Sequence, residues 1–389
     1  MQHHTRARTV EGRPSGEQEP AAAGEPAGDE PAGVGGLAPA DEIRDISTSL
    51  LVLALGAGVA LLLGIALLTG FFAPPGSPVS ATTVGNSVQP ALSSPTSSSP
   101  VGTAHVVVHS AASALAFDGG DGWLADADHA TVHRFDPSTG RVTGTVMGVG
   151  QRPTAVTTTS GRVWVADSVG NIVFGLDATD GKTRAGPIEV ATQPVTVAAG
   201  PGGVWVGSVL GGTVSVLDTR SGAVRSSVAL PDGLSQLATG DGAVWVSGQQ
   251  SSLTRVDPRP VGLLLRYRSV PVGHGPVAVA VGADGIWVAC GQAATVVRVD
   301  PSTMRVTGTW RLVDGHGGTI VPSALAVFNN RVWVADGVHD TVTAIDPGTG
   351  QELGRAVAMP GPITALTTGD GSLWAATSFP GAVVRIDPA

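Results

Sequence analysis

Seven tryptophans set the rhythm of this chain. Trp123, Trp164, Trp205, Trp245, Trp287, Trp333 and Trp374 follow one another at intervals of 41, 41, 40, 42, 46 and 41 residues. Each is followed after 13 residues, once after 12, by an aspartate: Asp136, Asp177, Asp218, Asp257, Asp300, Asp346 and Asp387. A period of this length made of short β-prone runs excludes a conventional two-layer domain and predicts radial repetition. The second unit shows the contents: "PTAVTTT", a turn, "RVWVAD", then "NIVFGLD", the turn "ATDG" and the returning "KTRAGPIEV". Those four runs read as four strands, with Gly, Asp and Asn at the turns where positive φ is required. Runs such as "VWVA" are apolar on both faces, as befits a sheet sandwiched between neighbours. The predicted fold is an all-β, seven-bladed β-propeller over residues 103–389.

The ends of the repeat predict how the ring closes. The seventh unit stops at "VVRIDPA", where a fourth strand would begin, and "AHVVVHS" from Ala104 lacks the three strands that would precede it. The N-terminal strand is therefore expected to complete the seventh blade and remove the open edges.

Three segments precede the repeat. Residues 1–47, rich in Glu, Pro, Gly and Ala, bury too little apolar surface to offset their ordering entropy and read as a disordered tail. Ile46–Phe72 contains no charged residue, enough apolar chain to cross a hydrocarbon core of about 30 Å. The helix is placed at 48–72 as a retained signal-anchor, because a long polar segment stands before it. Arg6, Arg8, Arg13 and Arg44 precede it, and no Lys or Arg follows until Arg134. That asymmetry places the N-terminus in the cytoplasm and the repeat domain outside, on a single-pass anchor. The preference for Arg over Lys, with the Ala and Gly excess, fits a bacterial cytoplasmic membrane protein of a high-GC genome. Residues 73–102 form a Pro/Ser/Thr linker whose flexible span is roughly 30 Å.

With a net charge of −9, the chain lacks the basic stripe of a nucleic-acid binder. Its single cysteine, Cys290, excludes an internal disulfide framework and reads as a small buried residue. There is no Gly-x-Ser-x-Gly elbow and no His-Glu-x-x-His or Cys-x-x-Cys spacing, so no catalytic residues, metal or cofactor are assigned. "DGGDGW" at Asp118–Trp123 lacks the alternating ligands and closing Glu of a calcium loop and reads as a hairpin turn.

The runs "VWVAD", "TVTAID" and "GPITAL" resemble the YVTN family of bacterial propeller repeats, with Trp in place of Tyr. The resemblance covers residues 103–389 and implies the propeller fold; the family spans binding, surface and sensor proteins. More distantly the repeat is similar to streptogramin lyases, in which a catalytic His follows the Pro that opens an innermost strand. The matching positions here are Thr154, Val195, Val277 and Ser323, none of them His. The expected role is thus non-catalytic, a sensor, adaptor or scaffold binding an envelope protein, peptide or glycan. The alternative is a lyase or hydrolase of the streptogramin lyase class.

The candidate ligand residues lie where the repeat stops repeating. Three residues after each Trp stand Asp126, Asp167, Ser208, Gly248, Cys290, Asp336 and Thr377. Blades six, seven, one and two are contiguous, so Asp336, Thr377, Asp126 and Asp167 are expected to form a polar arc. Arg152 and Gln193 in connecting loops, and His274 and His316 in Gly-His-Gly turns, share that face. Loops on rigid scaffolds usually carry function.

Overall fold

The computed structural model describes residues 99–259, 264–282, 284–313 and 317–389. The expected tail at 1–47, the expected membrane span at 48–72 and nearly all of the expected linker lie outside the described residues. Among the described residues no helix is long and apolar enough to cross a membrane.

The described residues form 28 strands, numbered β1 to β28 in chain order, in seven four-stranded antiparallel sheets. The second sheet is typical: β6 (Pro153–Thr159), β7 (Arg162–Asp167), β8 (Ile172–Asp177) and β9 (Thr183–Glu189), in sequence order from the inside outward. The innermost strand of each sheet touches those of its two neighbours, and the first touches the last. That is a closed seven-bladed ring.

Closure follows the prediction. β1 (Gly102–Val108) pairs antiparallel with β28 (Ala382–Pro388), with Ala104 opposite Ile386 and Val106 opposite Val384. It supplies the outer strand of a blade whose other three strands end the chain. The segment before it also braces blade six: the Val101 amide donates to the Arg355 carbonyl at 2.9 Å, and the Arg355 amide donates to that of Ser99 at 2.9 Å. Blade six needs this support, since its own outer strand, β25, is only Val357–Ala358.

A flat sheet buries its apolar faces only against another sheet, so the core lies at the joints between blades. Seven hydrophobic clusters occupy the seven joints, and each holds one periodic Trp. All seven indoles are 2% exposed or less. Those of Trp205, Trp245, Trp333 and Trp374 also donate their N–H to a carbonyl four or five residues earlier, in the hairpin that presents them. The eighth, Trp310, stacks on Trp287 with centroids 5.3 Å apart and donates to the Thr349 carbonyl of the next blade.

The periodic aspartates hold the turns between third and fourth strands. Asp136, Asp177, Asp218, Asp300 and Asp346 each accept from the amides two and three residues on. This is the Asx-turn logic that favours Asp there. Arginines of the preceding blade then reach these turns: Arg162 donates to the carbonyls of Thr219 and Arg220, and Arg298 to that of Pro347. This face of the ring is bracing.

Candidate ligand-binding face

An antiparallel meander puts the loops between second and third strands, and the connections from blade to blade, on the opposite face. The two kinds of loop are hydrogen-bonded together within a blade. The Ser168 amide donates to the Arg152 carbonyl, Val209 to Gln193, Ala293 to His274 and Ser378 to Pro362. The predicted residues therefore do share one face, with His316 outside the described residues.

Their side chains, however, are members of the loops. Asp126, Asp167, Asp336 and Thr377 are buried. Asp167 accepts three amides, from Gln151 at 2.8 Å, Arg152 at 2.9 Å and Val169 at 3.1 Å. Gly150, at φ 103°, makes room for this carboxylate; a Cβ there would collide with it. Asp126 accepts the amides of Asp128 and His129, and Asp336 those of Val338 and Val321. Thr377 donates its hydroxyl to the carbonyl of Pro380. A buried carboxylate needs such donors, since leaving it without partners costs several kcal/mol.

The unlike residues elsewhere at this position solve the same problem differently. In blade four, Gly248 leaves space for Asp232, which comes from the preceding connection and accepts from Ser251 and Ser252. In blade three, the Gln193 amide, at positive φ, is satisfied instead by the Asn171 side chain. Cys290 is fully buried, and burial pushes its thiol up to about 11, so it is inert at neutral pH.

What the face offers a partner stands two and three residues further along each loop. At the fifth residue after the Trp are Val169, 53% exposed, Leu210, 58%, Val338, 62%, and Phe379, 78%. At the sixth, His129 and His339 each place Nδ1 against the buried carboxylate, 2.8 Å from Asp126 and 2.6 Å from Asp336. The bond to Asp126 holds His129 above its ordinary pKa. Arg152 and Gln193 are partly exposed and His274 is exposed. The sequence did carry a signal for these tips: an aliphatic or aromatic residue inside a turn rich in Gly, Asp and Ser, as in "TSFPG", has no reason to be there for the turn's sake.

The mouth of the ring is chemically plain. The innermost strands are built of Ala, Val, Leu, Ile, Thr, Ser, Gly, Pro, Gln and Phe, with Asp118 as their one ionisable residue, at an exposed strand end. Hydroxyls there tie blade to blade: Thr364 donates to the Ala112 carbonyl, Ser113 to that of Pro153 and Thr154 to that of Pro194. Thr154, Val195, Val277 and Ser323 all lie at the second position of an innermost strand. Glu352 is buried and accepts from the Thr343 hydroxyl at 2.5 Å, a structural contact in blade six.

No protein-family model matches the sequence, and no curated protein matches it by sequence. Solved structures do match its shape. A streptogramin B lyase is similar with a TM-score of 0.59 at 19% identity, over 72% of this chain and 94% of that one. The virginiamycin B lyase from Staphylococcus aureus gives 0.60 at 14%, over 72% and 96%. The WD40 repeats of RRP9 give 0.62 at 13%, over 77% and 100%. At these identities the likeness shows the fold, a propeller shared by enzymes and WD40 proteins alike.

Proposed function

We propose that this chain is a membrane-anchored adaptor whose propeller stands outside the cytoplasmic membrane and binds an envelope protein or peptide, without catalysis, through its varied loop face. One observation carries this reading: Phe379, Val338, Val169 and Leu210 stand exposed at one repeated loop position, while Asp128, Gln250 and Gln292 fill it in blades one, four and five. Apolar tips on a rigid, polar-rimmed face are the composition of a protein-binding surface. The aspartates beneath them fix the loops in advance, which lowers the entropic cost of binding.

Crosslinking capture from intact membranes tests it. The full chain is expected to retain a partner that a variant with those four residues changed to Ser loses, at unchanged melting temperature. Equal capture by both sinks the reading. Protease added to spheroplasts tests the orientation, which predicts loss of the propeller and survival of the tail. The lyase alternative draws on the two lyase propellers of similar shape, and on nothing at the mouth of the ring, where Thr154, Val195, Val277 and Ser323 offer no general base. Turnover of a streptogramin by the purified chain would establish it.

A further inference from the structure

We propose that the outer edge of blade four holds a phosphate-class oxyanion, gripped by Arg255, Arg266 and Arg268. This site lies on the flank of the ring, apart from the loop face. In four blades an Arg on the third strand sits beside the blade's Trp in the ladder, and in three of them that Arg has a recorded partner of its own. Arg134 pairs with Asp121, Arg298 donates to the Pro347 carbonyl, and Arg385 pairs with Asp387. Arg255 lies over the Trp245 ring, 5.8 Å from its centroid. Its Nε is buried without a hydrogen-bond partner, as are those of Arg134 and Arg385, but unlike them Arg255 forms no ion pair within 4 Å among the described residues.

The cross-strand neighbour sharpens the anomaly. Opposite the equivalent third-strand residue five of the other blades place Gly144, Ala185, Ser226, Gly308 or His105. Blade four places Arg268 opposite Arg255. Like charges directly opposite one another destabilise a sheet, so folding gives no reason for this choice. All three arginines line a cavity of about 430 Å³, with Asp257, Leu265 and Tyr267. Asp257 offsets only part of this charge: its field reaches Arg255, but its Oδ1 accepts the Arg259 amide at 2.9 Å and the Arg259 Nε at 3.3 Å, and one carboxylate stands against three guanidinium groups.

Guanidinium forks match a tetrahedral oxyanion bidentately, and a divalent anion between Arg255 and Arg268 turns a repulsive pair into a bridge. The cavity is open to solvent and wider than a bare phosphate, so it admits a phosphate carried on a larger group, either a soluble phosphate ester or a lipid headgroup. Blade three supplies the test substitution, since it has Ser226 at the place of Arg268 and folds. Calorimetric titration of the full chain in detergent with inorganic pyrophosphate is expected to show one saturable site, and Arg268→Ser to weaken it at least tenfold. Arg225→Ser, which removes an arginine already paired with Asp218, is expected to leave it unchanged. Titration with glucose 6-phosphate and with dihexanoyl phosphatidylglycerol then identifies the source of the phosphate by which binds tighter. Without anion, Arg268→Ser is expected to raise Tm by about 1 °C as the like-charge pair disappears. Absence of saturable pyrophosphate binding, equal losses in the two variants, or a lower Tm for Arg268→Ser overturns the proposal.

Discussion

The two faces of this ring are made from the same repeat and obey different rules. On one, an aspartate 12 or 13 residues after each Trp opens every turn but the last, and arginines tie turns to the preceding blade. On the other, the residue three after each Trp changes from blade to blade, as do the tips beyond it. The comparison shows that variation in a repeat has two sources. Some of it is structural, as when Asp232 takes over in blade four what Asp167 does in blade two. Only the remainder, the exposed tips, is free to answer to a partner.

Breaking the frame that both faces share has the largest effect. Deleting residues 102–108 strips β28 of its partner and leaves its edge raw, so the protein is expected to aggregate or to lose its cooperative melt, read by scanning calorimetry and size-exclusion chromatography. Trp333→Ala opens a large cavity in the joint between blades six and seven and is expected to cost about 3–5 kcal/mol in urea unfolding.

Acid separates the faces next. The Ser138 hydroxyl holds Asp136 down to about 2, and that of Ser302 does the same for Asp300. Asp177, Asp218, Asp257 and Asp346 are also lowered, each chiefly by a backbone amide. Depressed carboxylates contribute stability that is complete above their unfolded pKa of about 4 and is lost as pH falls towards the folded value. Tm is therefore expected to stay nearly flat from pH 7 to 5 and to fall steeply from 4 to 2. His129, raised by Asp126, runs the other way, its small contribution fading as pH rises through its folded pKa.

On the varied face, Asp167→Ala is expected to cost about 1–3 kcal/mol by orphaning buried amides, without changing which partner is captured. Phe379→Ala is expected to be the mildest in stability, within about 0.5 kcal/mol, yet to weaken capture. A large Tm loss from Phe379→Ala, or none from Asp167→Ala, would reverse the roles assigned to the two layers of this face.

Architecture was legible because it repeats: Trp spacing counted the blades, and the missing fourth strand after "VVRIDPA" disclosed the closure. The candidate site was legible only in part. Asp126, Asp167 and Asp336 look like ligand groups in sequence because a carboxylate opening a loop reads the same whether it faces solvent or its own amides. Which way it turns depends on the neighbouring connection, contributed from 15 or 16 residues away in the case of Asp167. The arginines of blade four escaped notice for a related reason, since Arg255 and Arg268 become neighbours only through the register of two strands.

The shared sheet of the first and last strands also has a history in time. β1 leaves the ribosome first, but Val384, the partner of Val106, is made 278 residues later. At roughly 5–20 residues per second, β1 waits tens of seconds alone. Its composition suits the wait. Thr103, His105 and Val106 remain exposed even in the finished ring, whereas the central "VWVA" strands are buried along nearly their whole length. The strand that waits longest for its partner is thus one that water tolerates better than the central strands.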